Sequence, residues 1–134
     1  MPWQDTLAAI ADLKKIQAEE NGGFTIHLAL GNLYRAQGDL DQAIATRSAL
    51  LHHTELTSDQ QGRVYLELGR DYKRSGLLDR AEEMFAQAED IVGRDPVLLE
   101  ELAGLATAAR DHEQAANLFA EINRPTAQAH HVVQ

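Results

Sequence analysis

The sequence predicts an all-α fold: a right-handed solenoid of about seven helices, packed as antiparallel pairs in one domain spanning residues 1–134. Three observations carry the prediction. Small and apolar residues fall on helical stripes. Tyr65, Leu68, Gly69 and Tyr72 share a face of one helix, and Ala81, Phe85 and Ala88 a face of the next; this is the 3.6-residue period of two amphipathic helices packed together. The pattern also recurs. Thirty-four residues after Gly69 and Ala81 stand Ala103 and Ala115, with Leu102, Phe119 and Ile122 in matching places, and upstream it returns as Leu30, Gly31, Tyr34, Ala43 and Leu50. The connecting phrase repeats too, Gly38-Asp39-Leu40-Asp41-Gln42-Ala43 against Gly76-Leu77-Leu78-Asp79-Arg80-Ala81. It places a glycine where a chain leaving a helix takes a left-handed turn.

Residues 1–22 read as the second helix of a repeat whose first helix is missing: counting 34 back from Ala43 reaches Ala9, with Leu13 on the same stripe. Asp5, or a residue just before it, is expected to cap this helix, and Asn21-Gly22-Gly23 to end it. Residues 23–56 form the next repeat, with helices from Phe24 to Gln37 and from Leu40 to about His53. In the repeat of residues 57–94 the spacing changes, because Gly31 and Gly69 are 38 apart. The four extra residues fall between Thr54 and Asp59, where Thr57 and Gln60 make a capping-box pattern. A longer loop or a longer following helix is expected, with stacking preserved. Residues 95–128 open on Asp95 as cap and Pro96 at the first helical position, and Arg124-Pro125-Thr126 ends the second helix. Residues 129–134 read as a tail or the start of a further helix. Each pair buries its apolar stripe only by stacking on a neighbour, so three or more repeats are needed.

Composition narrows the function classes. The chain is 44% hydrophobic and has no cysteine, which excludes disulfides and cysteine metal sites. No apolar run approaches the length of a membrane span and no signal peptide opens the chain, so a cytoplasmic location is expected. The net charge of -9 argues against a nucleic-acid partner. Catalysis has no support: Ser48, Ser58 and Ser75 lack a nucleophile-elbow context, the acidic pairs Glu82-Glu83, Glu89-Asp90 and Glu100-Glu101 read as solvated helix faces, and Gly22-Gly23 lacks the lysine of a phosphate loop. His52-His53 and His130-His131 are adjacent pairs that diverge by about 100° on a helix, so they read as structural or solvated and not as chelating pairs. No cofactor, metal or catalytic residue is expected.

The repeated positions are the pattern of the tetratricopeptide repeat. The resemblance is narrower still: Ile26 to Arg35, the 38-residue step, and Leu68-Gly69-Arg70-Asp71-Tyr72 with Gly76 to Phe85 look like the first repeats of the lipopolysaccharide assembly protein B family. It covers about Ala9 to Phe85 and fades after Pro96. Members of that family are heat-shock-associated bacterial adaptors with an N-terminal inner-membrane helix, a cytoplasmic repeat array and a C-terminal four-cysteine metal module. They control proteolysis of a lipid A synthesis enzyme. The resemblance implies part of that array, and an adaptor role regulating lipopolysaccharide biosynthesis.

In this repeat class the first helix of each pair lines a concave surface. The groove positions map to Asn32 and Arg35 in one repeat and to Arg63, Leu66, Arg70, Lys73 and Arg74 in the next. Such a basic groove predicts an acidic or carboxylate-bearing peptide, with Asn32 and Arg70 as hydrogen-bond anchors. The alternative is that Arg35, Lys73 and Arg74 only complement helix dipoles. A chaperone-type carboxylate clamp is not supported, since Leu28 and Glu101 stand where basic residues are required. Arg47 occupies the place of Phe85 and Phe119, and either snorkels over the core or faces a partner. A second function class is self-association as a homodimer through bare solenoid ends: Leu7, Ile10 and Leu13 at one end, Ile122 and Val132-Val133 at the other.

Overall fold

Side-chain caps at Thr57, Asp95 and Asp111 and left-handed glycines at Gly38 and Gly76 mark helix boundaries that the apolar stripes also set. The computed structural model describes residues 2–20, 23–53 and 55–123, which hold seven helices and no strand: α1 (Pro2–Glu20), α2 (Phe24–Gln37), α3 (Leu40–His53), α4 (Ser58–Arg74), α5 (Leu78–Val92), α6 (Pro96–Ala108) and α7 (His112–Ile122). Expectations placed on Asn21-Gly22, Arg124-Pro125-Thr126, His130-His131 and Val132-Val133 lie outside these residues. Each helix packs on the one before and the one after it, and α4 also touches α2 and α6. The chain is therefore a helical solenoid whose first helices lie side by side.

The core is a row of apolar layers between successive helices. Ile10, Leu30, Tyr34 and Ala43 close the layer around α2. Leu50, Val64 and Leu68 close that between α3 and α4, and Ala81, Phe85, Ala88, Leu98 and Leu105 that between α5 and α6. Gly69 makes the tightest approach: the Phe85 ring lies where a Cβ would stand. In the last pair the equivalent residue is Ala103, whose Cβ closes that slot. Phe119, expected on the packed stripe, is instead 47% exposed, and Leu118 is buried in its stead.

The turns follow the predicted chemistry. Gly38 and Gly76 adopt φ of +85° and +79°, and the N–H groups of Gly38 and Asp39 donate to the carbonyls of Arg35 and Tyr34. The third repeat puts Arg110 at the same place, with φ +62°. Thr57 and Gln60 form the capping box in both directions, and Asp95 accepts from the N–H groups of Val97 and Leu98. Asp5 does not cap α1; the helix begins earlier, at Pro2, whose fixed φ suits a first helical position, and Asp5 sits in the first turn.

The four extra residues become helix. α2 starts seven residues before Gly31 and α6 seven before Ala103, whereas α4 starts eleven before Gly69. One additional turn at the N-terminus of α4 absorbs the insertion, which is why the layers on either side remain in register.

Candidate functional site

Asp59, Gly62, Arg63, Leu66, Arg70, Lys73 and Arg74 recur at steps of three and four along α4, one continuous stripe of the helix. That stripe lines two open clefts. The first, of about 380 Å³, lies between α4, the end of α5 and the start of α6, with Leu66, Val92, Leu98 and Ala88 as apolar walls and Asp59, Arg63 and Asp95 at its edge. Gly62 is buried at its floor, where a Cβ would stand 2.6 Å from the Val92 side chain. The second, of about 390 Å³, is lined by Arg35, Arg70, Lys73, Arg74 and Glu101.

The expected groove residues Asn32, Arg35, Arg63, Arg70 and Lys73 are drawn into one network of charge. Its centre is Glu67 and Asp71, one helical turn apart on α4 and 1% and 0% exposed. Arg47 Nε donates to Asp71 Oδ2 at 2.6 Å, and its Nη2 to Asn32 Oδ1 at 2.8 Å. Arg35 Nη1 reaches both Glu67 Oε1 and Asp71 Oδ1 at 3.1 Å. Arg63 and Arg70 donate to Glu67 at 3.0 and 3.2 Å, Arg70 Nε to Glu101 Oε1 at 2.7 Å, and Lys73 Nζ lies 3.7 Å from Glu101. Among the described residues no buried side-chain nitrogen or oxygen lacks a partner.

Two sequence expectations are revised. Arg47 neither snorkels nor faces a partner. It is fully buried, with its guanidinium resting on Gly31 as the Phe85 ring rests on Gly69. The planar guanidinium fills the slot of a ring, but it needs a counter-ion there, and Asp71 supplies it. Glu101 is no solvated face residue, being held by Arg70 and Lys73. The sequence reading missed Glu67 and Asp71, although an arginine at a phenylalanine position is itself the signal that an acid must come within reach.

Burial opposes ionisation of Glu67, yet Arg35, Arg70 and Arg47 around it outweigh that effect and hold its carboxyl below the ordinary value. Asp71 is shifted upward by burial, which Arg47 and Arg35 offset in part. Burial disfavours the Arg70 cation, but its bonds to Glu101 and Glu67 prevail and raise it. The cations are thus mostly committed within the protein. Arg74 is exposed and has no ion pair among the described residues, and Lys73 is held only loosely.

At the first end of the solenoid only part of the expected bare face exists: Leu7 is 42% exposed, but Ile10 is 6% exposed and Leu13 is half-buried, both packed against α2. Ile122 is half-buried on the α6 and α7 layer. Among the described residues no group of three or more metal-ligating side chains could hold an ion, and no helix is long and apolar enough to cross a membrane.

Stacked helix pairs whose first helices present one shared face define a helical-repeat scaffold for protein contacts. The tetratricopeptide repeat family model matches residues 24–92, and the chain belongs to that family. It is similar to lipopolysaccharide assembly protein B of Escherichia coli (strain K12), 44% identical over 72 residues, 54% of this chain and 18% of the relative. The protein of the same name from Haemophilus influenzae is 28% identical over 102 residues, 76% of this chain and 26% of the relative. The matched stretch therefore spans between 18% and 26% of the length of these curated relatives.

Proposed function

We propose that the chain is a non-catalytic scaffold that holds an extended segment of a protein partner in the groove floored by α4, as part of an adaptor in lipopolysaccharide assembly and regulated proteolysis on the cytoplasmic side of the inner membrane. The observation that carries this reading is the α4 stripe from Asp59 to Arg74, which opens into two clefts beside its neighbours. The names of the relatives support lipopolysaccharide assembly, and the resemblance noted in the sequence is what suggests proteolysis and the inner membrane. A photo-crosslinking amino acid placed at Leu66, and separately at the exposed Glu82 on α5, tests it in the full chain in its native cell. Discrete protein adducts are expected from position 66 and not from 82. Equal labelling at both, or none at 66, would overturn the groove.

The exposed Leu7 and Phe119, 42% and 47% accessible at opposite ends of the solenoid, favour a second reading as a self-association module. Sedimentation across a concentration series separates the two. A dimer dissociated by Leu7→Glu or Phe119→Glu but not by Arg70→Glu/Lys73→Glu supports association through the ends, and a monomer at every concentration removes it.

A further inference from the structure

Resting on the groove reading above, we infer that the occupant is an extended peptide with two anchors: an apolar side chain in the Leu66 cleft and an aspartate or glutamate, four residues away, in the Lys73 cleft. The two clefts share one helix stripe, and the α4 residues that line them, Asp59 to Leu66 and Arg70 to Arg74, are centred near residues 62 and 72, about 15 Å apart at 1.5 Å per residue. A β-extended chain rises about 3.3 Å per residue and returns side chains to the same face every second residue. Residues four apart therefore span about 13 Å and both point down into the groove.

The chemistry of each cleft differs. The Leu66 cleft has apolar walls, with Asp59, Asp95 and Arg63 at its edge; Arg63 is paired with Glu67, so the cleft takes an apolar side chain and the two edge carboxylates disfavour an acid beside it. In the other cleft four cations face one carboxylate. Arg35 and Arg70 are saturated by Glu67, Asp71 and Glu101, which leaves Arg74 and the weakly held Lys73 to receive an incoming carboxylate. Gly104 gives Lys73 its room, because a Cβ there would lie 2.7 Å from Nζ. The extra turn of α4 places Asp59 at the edge of the apolar cleft.

The test uses fluorescence polarisation of the full chain with labelled, C-terminally amidated peptides carrying one leucine and one glutamate in a Ser/Thr/Gln background, separated by zero to six residues. Binding is expected to peak at three intervening residues. It should weaken at least about tenfold on glutamate-to-glutamine exchange in the peptide or with Lys73→Glu/Arg74→Glu in the protein. Affinity that ignores spacing, or survives loss of the glutamate, overturns the two-anchor inference and leaves the groove reading standing. Absence of binding by every member overturns it as well, and crosslinking at Leu66 then decides the groove separately. A free-carboxylate peptide lacking glutamate that binds as well would replace the side-chain anchor with a C-terminal one, and equally overturns it.

Discussion

Arg47 lies in a slot built for a ring, and the energetics of that exchange are local. Removing one partner of a buried ion pair leaves the other charge uncompensated, whereas replacing both with apolar groups is often neutral or better. Arg47→Phe should therefore destabilise the fold by about 3–5 kcal/mol in chemical denaturation. The double variant Arg47→Phe/Asp71→Leu should recover most of the loss, because Phe85 on Gly69 already demonstrates that the slot accepts phenylalanine. Glycines under these side chains differ in how much their neighbours can yield. Gly69→Ala meets the rigid Phe85 ring and should lower stability by about 1–3 kcal/mol. Gly104→Ala meets only the end of the Lys73 side chain, and its melting temperature should stay near that of the parent.

Among the elements, α4 differs from its repeats, and the capping box is what fixes its new start. Thr57→Ala removes the acceptor for the Gln60 N–H and should cost about 0.5–2 kcal/mol, with the loss of hydrogen-exchange protection concentrated in the first turn. In the third repeat, Arg110 holds the left-handed position that glycine holds elsewhere. Arg110→Gly should raise stability by about 0.5–1 kcal/mol, the relief of backbone strain exceeding the added chain entropy of glycine. Helix bounds were legible because caps, glycines and Pro96 act over three or four residues. Phe119 was not, since its exposure depends on a Cβ at Ala103 sixteen positions away. The repeat period puts Arg70 and Lys73 on one stripe of α4, but their partners Glu67 and Glu101 were not legible, nor was the Asp71 that pairs with Arg47, because which acid lies within reach of a cation is settled by packing between helices and not by spacing along one.

Across the whole molecule the charged network joins α2, α3, α4 and α6, and its response to acid follows from the two carboxylates at its centre. Glu67 has a folded value below 4.5, so its ionised form stabilises the fold above that pH, and the contribution is lost as pH falls through the lowered value. Asp71 has a folded value above 3.8 and carries the opposite sign: its contribution grows as the carboxyl is protonated and falls as pH rises through the folded value. Melting curves taken from neutral pH downward should show a shallower acid limb for Glu67→Gln than for the parent. The pair that Arg47 makes with Asp71 also bears on how such an array can be rearranged. Arg47 belongs to one repeat and Asp71 to the next, so a duplication or recombination that separated those neighbours would strand a guanidinium in one apolar layer and a carboxylate in another. Separating the two repeats is therefore opposed on both sides unless both residues change together, and duplicating the pair as a unit keeps each charge matched.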